Sequence, residues 1–196
     1  MKIIDSHCHL DFENFDDDFE DIIRRAKEIG ITKILTICSK KDNLNKNILL
    51  CEKNNFIFFA YGLHPLNIER ETISSLEILN ASKNNKMIAI GETGLDYHYQ
   101  KNTAKVQKIS FIEHIKLSQL TGLPLIIHSR DADEDMQRIL IEEYANKPFF
   151  AVMHCFSSGQ TLAQTAVELG FYLSMSGVIT FPKNNELRNI FSKVPI

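Results

Sequence analysis

Tryptophan is absent from this chain, so its aromatic burial falls mainly to phenylalanine. No Cys-x-x-Cys pair occurs among Cys8, Cys38, Cys51 and Cys155. They read as reduced, mostly buried thiols. No apolar run approaches the ~18 residues that span a bilayer, and no charged-then-apolar leader opens the chain. The expectation is a cytoplasmic protein with no membrane segment. A Pro/Ser-rich linker and low-complexity tracts are also lacking, so one domain over residues 1–196 is expected. Net charge is small, −3 with a pI near 6.2, which argues against a non-specific nucleic-acid coat. An enzyme touching a few phosphates remains compatible with it.

What is present is alternation. An apolar fraction of 44% supplies a sizeable core. Lys2 to Ser6 reads as a strand running into His7-Cys8-His9. An acidic stretch with Asp16-Asp17-Asp18 charges the start of a helix whose apolar positions are Phe19, Ile22, Ile23, Ala26 and Ile29, ending at Gly30. Strands follow over Thr32–Cys38, Phe56–Tyr61, Met87–Ile90, Pro124–Ile127, Phe149–Met153 and Phe171–Ser176. Helices lie between them around Asp42–Lys53, Ile73–Ala81, Thr103–Leu120, Glu134–Tyr144 and Gln160–Leu169, with one more over Asn184–Lys193. The long helix is read with Val106, Ile109, Ile112, Ile115 and Leu120 inward. The strands are continuous apolar runs, as parallel strands covered on both faces should be.

Two architectures fit such a pattern, an open doubly wound sheet and a (β/α) barrel. The polar residues at the strand ends decide between them. These ends read His7/His9, His64, Glu92, His128 and His154. An open sheet binds its ligand at one switch point, whereas a barrel gathers every strand end around one mouth. The barrel is therefore favoured.

Alternate side chains of an extended chain share a face, so His7 and His9 point together, about 6–7 Å apart, and Cys8 points away. Four imidazoles and a carboxylate around one mouth make a metal site for one or two ions. Zn2+, Mn2+, Ni2+ or Fe2+ suit such ligands, and Mg2+ would want more oxygen. Glu92 can bridge two ions and so serve catalysis by activating water between them. Other residues have plainer readings. His64 could simply end the Gly62-Leu-His-Pro65 turn. Arg130 could pair with Asp131 or meet a phosphate. Asp96 reads as a loop cap, Gln107 and His114 as structural, and Cys8 and Cys155 as facing away from the histidines.

The motifs Asp5-Ser-His-Cys-His9, Gly62-Leu-His-Pro65, Gly91-Glu-Thr-Gly-Leu-Asp-Tyr97, His128-Ser-Arg-Asp-Ala132 and His154-Cys-Phe-Ser157 resemble the successive signatures of the TatD-type DNases of the amidohydrolase superfamily. Ser176-Gly177-Val178 resembles the segment that follows. The resemblance implies a TIM (β/α)8-type barrel carrying one or two divalent ions, Mg2+, Mn2+ or Zn2+. It implies that His7 and His9 hold one ion, that Glu92 bridges, and that His128 and His154 serve the second. His64 and Arg130 would lie near the scissile phosphate, His64 with a catalytic part. The implied substrate is DNA, trimmed from its 3′ end; a monomer is expected when the barrel is complete.

The resemblance departs at the end of the chain, where an eighth strand bearing an Asp is expected and is not present in these 196 residues. A chain of this length is expected to be inactive or nearly so. Two other functions compete: a metal-dependent amidohydrolase acting on a small cyclic amide or lactone, and a non-catalytic binding protein. Glu92 in the fourth-strand position, where many superfamily relatives carry a carboxylated Lys, tilts the choice to the nuclease.

Overall fold

A computed structural model describes residues 2–195. Its order is β1 (Ile3–Cys8), α1 (Phe19–Glu28), β2 (Ile31–Cys38), α2 (Leu44–Lys53), β3 (Ile57–Tyr61), α3 (Ser75–Ala81) and β4 (Met87–Asp96). Then come α4 (Tyr97–Gln100), α5 (Ala104–Thr121), β5 (Leu125–Arg130), α6 (Asp133–Asn146), β6 (Ala151–Met153), α7 (Gln160–Glu168), β7 (Tyr172–Leu173) and α8 (Asn185–Phe191). The strands form one parallel sheet in sequence order from β1 to β7.

The sheet is strongly curled. In a flat sheet β1 and β6 would stand five strand spacings apart, about 24 Å. Instead the rings of His7, on β1, and His154, just after β6, stack with centres 3.4 Å apart. Curling separates two apolar regions. Ile37, Ala60, Ala89 and Ile126 form a small cluster with Leu35 and Val152, one or two residues from each of β2 to β6, lining the concave side. The larger core lies between the convex side and the helices and includes Ile34, Phe59, Tyr61, Ile90, Phe111, Ile127 and Met153. Strand parity joins the two sets: Val152 and Ile126 face in, Met153 and Ile127 face out, and His154 and His128 face in again. This is a TIM-barrel arc of seven strands, with β1 and β7 at its edges and no eighth strand among the described residues.

Four expectations need correction. The fourth strand does not end at Ile90 but runs through Asp96, so the Gly91–Asp96 motif is itself strand. The seventh is only Tyr172–Leu173. The long helix buries Ile115 as expected, but beside it Gln107, Phe111, His114, Leu117 and Ser118 in place of the rest of the expected stripe. Val106, Ile109 and Leu120 are 52%, 56% and 68% exposed. Polar residues take the buried positions because they close backbone groups of the strand-end loops. The Leu63 N–H donates to His114 Nε2 at 3.1 Å, and Ser118 Oγ donates to the Leu123 carbonyl at 2.6 Å. On α1, Ile23 is buried as expected, whereas Ile29 lies exposed at the helix end.

Candidate metal centre

Glu92 is the middle of the site. It is 3% exposed, on the concave side of β4. Gly91 before it has φ +127°, and a Cβ there would run into the Ile126 carbonyl oxygen, so only glycine lets β4 approach β5 this closely. The two carboxylate oxygens face different histidines. Oε2 lies 3.3 Å from His7 Nε2. Oε1 lies 3.2 Å from His128 Nδ1 and 3.7 Å from His64 Nε2. Two groups of possible ligands result, His7–Glu92–His154 and His64–Glu92–His128. Within each, the ligand atoms lie inside 4.8 Å of one another.

The ring nitrogens can be assigned from their partners. His9 Nδ1 is 3.2 Å from the Ile37 carbonyl, which only accepts, so Nδ1 carries the proton and Nε2 keeps its lone pair. His64 is the reverse. The Leu66 N–H donates to His64 Nδ1 at 3.2 Å, so the hydrogen of the neutral ring is on Nε2, aimed at Glu92. His128 touches carboxylates with both nitrogens, Glu92 through Nδ1 and Asp96 Oδ2 through Nε2 at 3.0 Å. His7 Nε2 is buried and, despite its nearness to Glu92, has no hydrogen-bond partner among the described residues.

The electrostatics divide along the same lines. Burial works against ionising Glu92, yet the hydrogen bond from His128 and the nearness of His7 and His64 hold its pKa well below the usual carboxylate range. Burial also opposes charge on His128, but the hydrogen bonds to Asp96 and Glu92 outweigh it and raise the pKa to about 9. His64 and His154 go the other way: burial pushes each down to about 4, and for His154 the adjacent His7 ring adds to the fall. Burial lowers His9 as well.

This donor set fits a divalent ion. It offers an ionised carboxylate with one oxygen per group, a neutral imidazole in each group at physiological pH (His154 and His64), and an orphaned buried nitrogen, His7 Nε2, pointing at the carboxylate. The cysteines do not take part. Cys8 packs on the helix-side core, its Sγ 3.6 Å from the Leu35 carbonyl, with its thiol pushed up to about 12 by burial. Cys155 Sγ is 2.8 Å from Ser176 Oγ.

The structure groups the histidines differently from the reading of the chain. His154 stands with His7 and not with His128, because the curl brings β6 round to β1. His9 lies outside the two tight groups, its ring centre 5.3 Å from His7. His64 enters the group of His128. Arg130 does not pair with Asp131, whose Oδ2 is 2.8 Å from His98 Nδ1. Arg130 instead lines a groove of about 1100 Å³ beside the strand ends, shared with Lys101, Lys183 and Phe181.

Asp96 does cap the turn that follows, since its Oδ1 accepts from the Tyr99 N–H at 2.9 Å, but its other oxygen holds His128. The signal for this second contact was spacing: positions 92, 94 and 96 share a face once the strand is known to continue past Ile90. Gln107 is structural as expected. Its Oε1 accepts from the Asp96 N–H at 2.8 Å, and its Nε2 donates to the Asp96 carbonyl at 3.0 Å.

Comparison with other proteins shows relatives named as metal-dependent hydrolases. An uncharacterized metal-dependent hydrolase of Buchnera aphidicola from Acyrthosiphon pisum, BU355, is 39% identical over 206 aligned residues covering 100% of this chain and 78% of its own. YabD, an uncharacterized metal-dependent hydrolase of Bacillus subtilis, is 35% identical over 98% of this chain and 76% of its own. The crystal structure of YjjV, a TatD homologue from Escherichia coli, superposes with a TM-score of 0.89 at 30% identity, covering 98% of this chain and 75% of that one. Among the described residues no helix is long and apolar enough to cross a membrane. The family model described as TatD related DNase matches residues 4–196, and the chain belongs to this family of metal-dependent hydrolases.

Proposed function

We propose that the chain is built to hydrolyse phosphodiester bonds of DNA, trimming a strand from its 3′ end with one or two divalent ions, Mg2+, Mn2+ or Zn2+. The observation that carries this reading is the placement of Glu92, one oxygen toward His7 and the other toward His128, each with a further histidine alongside. Phosphodiester hydrolysis at neutral pH needs a nucleophile that no residue of the site supplies. Divalent ions held by the histidines and Glu92 would supply it by activating a water.

The chain's own residues then have distinct parts. His7, His9, Glu92, His128 and His154 would hold the ions, and the free Nε2 of His9 suits it to that part. His64 keeps its hydrogen on Nε2 and stays neutral near pH 7, so it donates to a phosphoryl oxygen and orients the phosphate. Arg130, exposed at the end of β5, meets the phosphate backbone entering the groove. The reading places the enzyme in the cytoplasm, acting as a monomer on short stretches of strand.

The test is hydrolysis of a single-stranded oligonucleotide labelled at its 3′ end, with Mg2+, with Mn2+ and with EDTA, run beside a cyclic amide and a lactone. Stepwise metal-dependent trimming that Glu92→Gln abolishes supports the reading. Turnover of the amide or lactone with an intact oligonucleotide overturns it.

A further inference from the structure

Asp96 ends β4 beside the metal centre. It is 1% exposed, and a buried carboxylate is costly unless each oxygen is satisfied. Its two oxygens do two different things. Oδ1 accepts the Tyr99 N–H, a cap that Asn or Ser could serve as well. Oδ2 accepts from His128 Nε2 at 3.0 Å. The residue is clamped for this second contact. Gln107, fully buried, binds both the N–H and the carbonyl of Asp96, and is itself held by Thr103 Oγ1 and the Gln100 carbonyl.

Register explains why His128 can be held from two sides. Its strand partner is Gly94, whose missing side chain leaves the ring flanked by Glu92 on one side and Asp96 on the other. The ring therefore bridges two carboxylates, Nδ1 to Glu92 and Nε2 to Asp96. An ion seated against Glu92 can take only one of these nitrogens.

We propose that Asp96 is a positioning residue for the metal centre: by accepting the Nε2 hydrogen of His128 it leaves Nδ1, the nitrogen facing Glu92, to bind the ion. The inference rests on the metal-centre reading and adds to it a residue that touches neither ion nor substrate. Carboxylate partners of this kind fix the tautomer of a ligating histidine, and their loss typically weakens metal binding about 10–100-fold.

Two measurements test it. The first is a long-range 1H–15N spectrum of the Zn2+-loaded chain labelled in histidine. His128 should show its proton on Nε2 and the ion on Nδ1, and a proton on Nδ1 overturns the proposal. The second is Zn2+ titration calorimetry of the wild-type chain and of Asp96→Asn. The asparagine retains an oxygen for Tyr99 but can turn its amide N–H toward Nε2, which favours the competing Nδ1–H tautomer. One Zn2+ should then bind about 10–100-fold more weakly while the other changes by less than about three-fold. Equal uptake of both ions by Asp96→Asn overturns the proposal and leaves the metal centre standing. A wild-type chain that takes up no Zn2+ overturns the metal centre and the proposal with it. If Asp96→Asn does not fold, the wild-type spectrum decides alone.

Discussion

The imidazole rings of His7 and His154 lie parallel, 8° from coplanar with centres 3.4 Å apart, although one belongs to the first strand and the other follows the sixth. Burial, with the His7 ring beside it, pushes His154 down to about 4, and a neutral imidazole is what a divalent ion requires. The stack thus records both the curl of the sheet and the neutral state of His154.

The metal-free chain should be most stable near pH 6.5. His64 and His154 are lowered to about 4, so as pH falls from 6.5 the unfolded chain takes up protons that the folded chain refuses, and stability declines. His128 is raised to about 9, so its contribution is full below 6.5 and is lost as pH rises through about 9. Thermal melting of the EDTA-treated protein from pH 4 to pH 10 should trace a dome. A melting temperature that climbs steadily from pH 6.5 to 9 contradicts the His128 assignment.

His9 and His64 should separate in a binding experiment, although both are histidines at the same mouth. His9→Ala removes a free Nε2 lone pair and should weaken Zn2+ binding at least about ten-fold. His64→Ala removes an N–H donor and should leave Zn2+ affinity within about three-fold while turnover of the oligonucleotide falls about 100-fold. Calorimetry beside the hydrolysis assay reads both, and a His64→Ala chain that loses an ion would make His64 a ligand.

Gln107→Leu conserves shape roughly but strips the partners from the Asp96 N–H and carbonyl, two buried backbone groups. Each buried group left unpaired costs about 1–3 kcal/mol, so the expected loss is roughly 3–5 kcal/mol in urea unfolding. A loss below about 1 kcal/mol would mean that the loop after β4 finds other partners.

Gly94→Ala tests the contact between β4 and β5. Gly94 has φ +141°, and an added Cβ would strike the carbonyl oxygen of His128. Gly170→Ala is the control, with φ +77° and open space around the added carbon. The control should cost about 1 kcal/mol from backbone strain alone, and Gly94→Ala clearly more. Equal midpoints in denaturant would show that β4 can move away from β5 at no cost.

Strand identity was legible along the chain because buried parallel strands are continuous apolar runs, and β1 to β6 were placed with errors mostly at their ends. The largest of these was β4. The expected end at Ile90 lies just before Gly91, yet Gly91 and Gly94 allow the strand to continue against a close neighbour. The stripe on α5 was misplaced for a related reason. Apolar spacing selects Val106 and Ile109, but the buried positions at Gln107, His114 and Ser118 are held by hydrogen bonds that a count of apolar residues does not register.

The sequence by itself determined the alternation of strands and helices, the parity that turns His7 away from Cys8, and the placing of a histidine or glutamate at successive strand ends. Those follow from local rules, the two-residue period of a strand and the burial of apolar runs. Only the tertiary structure decided which histidines meet, that His154 stacks on His7, that His128 lies between Glu92 and Asp96, and which nitrogen of each ring is free. These depend on the curl of the sheet and on the register of β4 against β5. They are sums of twist and pairing over many residues, so no stretch of the chain carries them alone.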